Sequence, residues 1–352
     1  MSDNGKQIST SEVAPQPAIP PTPSPEQKPQ LHRIFFGPNG LRAGWRLSIF
    51  VLLVAAYTFA ARFIRHRLFG STPRVVGAPF EPVREIISRG LGFLLLCLAT
   101  LTMAKIEGGK WDEYGLPVRR AFGRDFWFGC LWGLVSVSAV MAGLWVTGAY
   151  RIDGFALAGA ELWKFAALWG VMFLIVGLLE EFSLRGYLLY TAASGIGFWP
   201  AAVITSALFL AGHIGNSGEN WMGLADVFII GVFLCFTLWR TGDLWFAVGL
   251  HAVWDWGLTY LYSVPNSGTT AVGHLLNVRL QGPAWLSGGS AGPEGSVINL
   301  IMDVLYFFIF AAIYKRRKWV GMDDRRAAAV TVAVPSVVID STALNSQFLA
   351  KE

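Results

Sequence analysis

From residue 45 to residue 314 the sequence is a succession of long apolar runs, and a chain built this way cannot bury all of them in a water-soluble core. Eight runs stand out, at 45–61, 90–103, 126–150, 165–190, 198–214, 224–239, 244–262 and 297–314. A helix rises ~1.5 Å per residue, so ~20 residues cross a ~30 Å hydrocarbon core. The shorter runs reach that length by recruiting their flanks. Only 14% of the residues are charged, against about 25% in soluble domains. The pattern predicts an all-α fold, a polytopic membrane helix bundle of about eight transmembrane helices.

The segments between and around the runs divide the chain. Residues 1–30 are rich in Pro, Ser, Gln and Glu, including Pro20-Pro21-Thr22-Pro23, and read as a disordered cytosolic tail. Residues 31–124 hold N-terminal helices and interfacial segments, and 125–262 form the membrane core. A Gly-, Ser- and Pro-rich stretch, 263–296, reads as an extramembrane loop. The last helix and its basic stop, Lys315-Arg316-Arg317-Lys318, occupy 297–318, and 319–352 is a loosely ordered tail.

The basic stop places the C-terminus in the cytoplasm, and an even number of crossings places the N-terminus there too. The basic stretch 105–124 falls on the same side. One segment departs from the rule: Arg62, Arg65, Arg67, Arg74, Arg84 and Arg89 fall on the opposite side. The first 30 residues lack a signal-peptide pattern, so the first apolar run is expected to be retained, in a bacterial inner membrane. The net charge of +5 reports orientation in the bilayer; no basic run is interleaved with aromatics as nucleic-acid binding would require. Cys97, Cys130 and Cys235 each fall inside an apolar run and read as small buried hydrophobes.

Charge inside a membrane span is costly and is by default a functional hypothesis. The fourth run carries Glu180-Glu181-Phe182-Ser183-Leu184-Arg185 between apolar stretches. At ~100° per residue the two glutamates point apart. Glu181 and Arg185, four apart, share a face and neutralise each other. Glu180 is then free to meet a different neighbour. The alternative is a helix that ends near Glu180, leaving ordinary interfacial charges. Apolar residues that resume directly after Arg185 weigh against it. The fifth run ends Phe209-Leu210-Ala211-Gly212-His213, and the seventh contains His251 and Asp255, also four apart. Each histidine alone reads equally well as a hydrogen-bonded packing residue.

One carboxylate and two imidazoles around a wet pocket can hydrolyse a peptide in two ways. In one, Glu180 and His213 polarise a water and His251 steadies the developing oxyanion. In the other, Glu180, His213 and His251 ligate a zinc ion with an open position for the water. Neither route needs a serine or cysteine nucleophile.

These same residues carry a resemblance. Glu180-Glu181-Xaa-Xaa-Xaa-Arg185, Phe209-Xaa-Xaa-Xaa-His213 and His251-Xaa-Xaa-Xaa-Asp255 resemble, in order and on three separate runs, the signatures of the CPBP family. That family comprises the CAAX prenyl protease Rce1-like and bacteriocin-processing (Abi) membrane proteases. The likeness covers residues 125–262. It implies an eight-helix endopeptidase core acting on a membrane-associated or membrane-embedded peptide. It assigns Glu180 and His213 to water activation and His251 with Asp255 to the oxyanion site. Glu181, Arg185 and Phe209 become supporting residues. Members are described both as metalloproteases and as metal-independent, glutamate-dependent enzymes; the cofactor-free route is expected, with zinc as the alternative. Where prenyl-processing relatives commonly carry asparagine, this chain has Asp255, and an ionised aspartate cannot donate to an oxyanion.

Two readings from other classes remain open. A transporter would use Glu180, Arg185 and the histidines as a proton or ion relay, although no inverted repeat is evident. A non-catalytic membrane scaffold would use the same groups only to hold helices together.

Overall fold

Apolar runs rich in Leu, Phe, Ala and Val satisfy their backbone only as helices once removed from water. The computed structural model, which describes residues 34–37, 40–69 and 80–321, is accordingly mostly helical. The expected tail at 1–30, Arg74 and residues 322–352 lie outside the described residues. The principal helices are α1 (Ala43–Phe69), α2 (Pro82–Ile106), α3 (Arg124–Val146), α4 (Ala160–Arg185), α5 (Tyr187–Ile196), α6 (Phe198–His213), α7 (Trp221–Thr241), α8 (Trp245–Trp256) and α9 (Val297–Ile313).

Among the described residues, five segments are long and apolar enough to cross a membrane: Ala43–Ile64, Pro82–Ile106, Arg124–Val146, Ala160–Ile196 and Trp221–Thr241. Helices α6 and α9 are apolar but shorter, 16 and 17 residues. Helix α8 has 12 residues before it continues into a π-helical turn, Gly257–Leu261. Leu52, Phe59, Trp127 and Phe308 are all exposed, as lipid-facing side chains are. These long apolar helices are those of an integral membrane protein by length and composition.

Two features correct the expectation. The fourth run is not one helix to Tyr190. It breaks at Gly186, where an added Cβ would lie 2.2 Å from the Phe182 carbonyl oxygen, and α5 begins at Tyr187. The fold is also not purely α. Phe36–Gly37 (β1) pairs with Gly40–Leu41 (β2), and Tyr150–Phe155 (β3) pairs antiparallel with Leu276–Leu280 (β4). The reason lies in β4, where half-buried and exposed residues alternate, a strand period that no helix satisfies. An irregularity between Ile152 and Gly154 bends β3, and Arg279 pairs with Asp153 at 2.7 Å outside it. The 263–296 stretch thus folds as an ordered cap: Tyr150 donates to the Tyr262 carbonyl, and Trp169 Nε1 to that of Val272.

In the bundle, α8 is central and packs along α3 and α4; α2 lies on α4, α6 on α7, and α9 on α7 and α3. The α3–α8 contact is made by glycines. A Cβ at Gly129 would sit 2.1 Å from the Phe246 carbonyl oxygen, and one at Gly133 2.5 Å from that of Leu250. Gly249 on α8 returns the fit, 2.3 Å from the Phe126 oxygen. Small residues let the backbones touch, which is how helices associate where lipid removes the hydrophobic drive. That contact sets the depth of the residue after Leu250, which is His251.

Candidate active site

Glu180 and Glu181 follow one another near the end of α4, and the helical twist sends them apart. Glu181 is fully buried and meets Arg185, also fully buried, at 3.3 Å. Arg185 donates a second bond to the Gly231 carbonyl on α7 (3.1 Å) and covers the Phe209 ring of α6 at 4.7 Å. One ion pair thereby ties α4 to α6 and α7. Removing either partner would strand a buried charge, which costs about 3–5 kcal/mol.

Glu181 has a second partner that residue spacing did not suggest. His251 Nδ1 on α8 lies 2.8 Å from its Oε1, where an Nδ1–H donates to the carboxylate. This turns His251 Nε2 toward Asp255 Oδ2, at 3.5 Å, and Glu180 Oε2, at 3.8 Å. His213 closes α6: its Nδ1 lies 2.8 Å from the Phe209 carbonyl oxygen and its ring stands edge-on to Phe209 at 4.6 Å. Phe209 is in turn 6.3 Å from the His251 ring, so it spaces the two imidazoles. Glu180, His213, His251 and Asp255 all line one cavity of about 250 Å³.

The cavity also holds groups that the sequence reading passed over. Arg89 of α2, from the basic segment that defied the charge rule, reaches Glu180 at 3.7 Å and Glu85 at 3.4 Å. Asp226, Asn299 and Asp303 form a buried polar group contributed by α7 and α9. From the cap, Glu294 accepts bonds from Ser267 N (2.6 Å), Ser267 Oγ (3.2 Å) and Trp254 Nε1 (3.4 Å). Burial, reinforced by the negative Asp255, pushes the Glu294 carboxyl up from 4.5 to about 7. The signal for Asp226 and Asp303 was available, since each is a lone acid inside an apolar run. Gly288-Gly289-Ser290-Ala291-Gly292 spells the serine-hydrolase pattern Gly-Xaa-Ser-Xaa-Gly, but it forms a turn in the cap and Ser290 does not line the cavity.

The zinc alternative requires Glu180, His213 and His251 to converge on one point. Among the described residues no three His, Cys, Asp or Glu side chains are grouped to hold a metal ion. Glu180 moreover stands beside the Arg89 guanidinium, which a divalent cation would have to displace. The residues as placed do not fit a zinc centre.

Fold and cavity together define a class: an apolar helix bundle that encloses carboxyl and imidazole groups suited to moving protons and to meeting developing charge. Within that class, residues 162–257 match the family model described as Type II CAAX prenyl endopeptidase Rce1-like, and that stretch is a domain of this family, also called CPBP. The match spans α4 to α8 and includes all three motifs. Its description implies peptide-bond hydrolysis. Comparison with curated proteins and with solved structures finds no match.

Proposed function

We propose that this protein is an intramembrane endopeptidase that hydrolyses a peptide bond of a membrane-associated substrate with water activated by Glu180 and His213. The observation that carries the reading is the setting of His251, held by Glu181 at 2.8 Å and facing Glu180 at 3.8 Å across a cavity that His213 also lines. Glu180 takes the proton as water attacks the carbonyl carbon, and His213 orients that water. His251, with Nδ1–H given to Glu181, presents Nε2 to the cavity; in its doubly protonated form Nε2–H donates to the tetrahedral oxyanion. Asp255, 3.5 Å from Nε2, orients the ring and does not itself donate to the oxyanion. The proton on Glu180 then passes to the leaving amine. The reading includes eight membrane crossings, with α6, α8 and α9 tilted or extended by their flanks, both termini cytoplasmic, in a bacterial inner membrane.

The test is cleavage of a membrane-embedded reporter peptide by the purified full chain. Glu180→Ala and His213→Ala, shown folded by thermal unfolding, should each lose at least ~100-fold in rate. Full activity in both would end the proposal. Undiminished activity after chelation is the expected companion result.

A further inference from the structure

The cavity extends past the proposed hydrolytic groups to a second set of side chains. Asp226 of α7 and Asp303 of α9 stand against one another and are 4% and 3% exposed. Asn299, 1% exposed, donates Nδ2–H to Asp226 Oδ1 at 2.7 Å. That bond leaves two buried acceptors on the cavity wall without a partner, Asn299 Oδ1 and Asp303 Oδ2. A carboxyl pair that shares a hydrogen bond and a carboxamide oxygen are thus grouped together, with no Lys or Arg among the described residues bonded to them.

The charge around them is one-sided. Among the described residues, the cavity is lined by the carboxyl groups of Glu180, Asp226, Asp255, Glu294 and Asp303, against one guanidinium, Arg89, and the two imidazoles of His213 and His251. Arg89 is already taken by Glu85 and Glu180. The cavity wall also carries apolar side chains, among them Val227, Ile230 and Phe233. Apolar wall together with unpartnered acceptors suits a long aliphatic stem with a positive head. A bare metal ion would gain nothing from the apolar wall.

We propose that Asp226, Asn299 and Asp303 form a specificity subsite that takes the lysine or arginine side chain of a peptide substrate. The proposal rests on the endopeptidase reading for its setting, since the side chain would belong to the peptide being cleaved. Asn299 and Asp303 lie beyond residue 257, so two of the three subsite residues come from outside the family domain.

The experiment uses the full chain in lipid nanodiscs and a series of otherwise identical reporter peptides carrying lysine, norleucine or glutamate at each position flanking the cleaved bond. At one position the lysine peptide should exceed the norleucine peptide in kcat/KM by about tenfold or more, with glutamate slowest. In Asp226→Asn/Asp303→Asn protein the lysine-to-norleucine ratio should fall to about one. A wild-type ratio near one at every position overturns the subsite, as does a ratio that survives the double substitution. Should the double variant fail to fold, Asp303→Asn alone and the wild-type ratio still decide.

The same peptides are titrated against Glu180→Gln protein, so that binding is read without turnover. Lysine-selective binding with no cleavage of any peptide by the wild type would end the hydrolase reading and leave the subsite standing. Equal binding of lysine and norleucine peptides would end the subsite alone.

Discussion

His251 Nδ1 lies 2.8 Å from Glu181 Oε1, and Glu181 is at the same time the partner of Arg185 at 3.3 Å. A buried carboxylate therefore serves two masters, one structural and one placed at the cavity. Glu181→Gln keeps the shape but loses the charge that orients the imidazole. In reporter cleavage, kcat should fall about 10²-fold with KM nearly unchanged, and Glu181→Asp should restore part of it. An equal loss in KM would assign Glu181 to substrate binding instead.

Arg185→Met removes the other half of the ion pair. It leaves the Glu181 carboxylate buried with only His251, and thermal or denaturant unfolding in detergent should show a loss of about 3–5 kcal/mol. The double variant Glu181→Gln/Arg185→Met should be more stable than Arg185→Met alone, because no stranded charge remains. Additive losses would show that the pair is not coupled.

Gly133→Ala acts through packing. The added methyl would meet the Leu250 carbonyl oxygen at 2.5 Å, which is backbone and cannot turn aside, so α8 must shift and carry His251 with it. A shift of ~1 Å at reacting groups costs about 10²-fold in rate. Activity should drop about 10²-fold, equivalent to about 2.7 kcal/mol, beside a stability loss of ~1–3 kcal/mol from overpacking. Gly44→Ala in α1, where nothing lies within 4 Å, is the control and should be silent in both.

Glu294 gives the cap a pH dependence. Its carboxyl is raised from 4.5 to about 7 in the fold, so the protonated form is favoured there over the unfolded chain. The stabilisation is complete below about pH 4.5 and is lost as pH rises through about 7. The melting temperature of wild-type protein should therefore decline from pH 5 to pH 8. Glu294→Gln, which keeps the acceptor for Ser267 but cannot ionise, should flatten that decline. A decline of the same size in both would remove Glu294 as its source.

The local part of the site was readable because helical geometry is local. Spacings of four brought Glu181 to Arg185 and His251 to Asp255, and adjacency drove Glu180 and Glu181 apart, all from the twist of one helix. What joins different helices was not written in any spacing. The Glu181–His251 bond links residues 70 positions apart, and Arg89 reaches Glu180 from a helix that begins at Pro82. The pairing of β3 with β4 spans a still longer separation and is weaker in the sequence, since a few alternating residues do not stand out beside apolar runs. Gly186 broke a run whose hydropathy is continuous, because a turn depends on one missing Cβ and hydropathy does not register it. Two signals were legible and unused: Gly129-Xaa-Xaa-Xaa-Gly133, which sets the α3–α8 contact, and the lone aspartates of the sixth and eighth runs.

The walls of the cavity come from before, within and after residues 162–257: α2 and α3 on one side of the domain in sequence, the domain itself, and the cap and α9 on the other. A transplant of residues 162–257 into a foreign bundle would thus move the three motifs and leave behind both Arg89 and the Asn299–Asp303 end. Evolution faces the same division. Substitutions in the flanking helices can retune what enters the chamber while the inherited motifs stay untouched, so kinship read from the motifs alone says little about which peptide is cut.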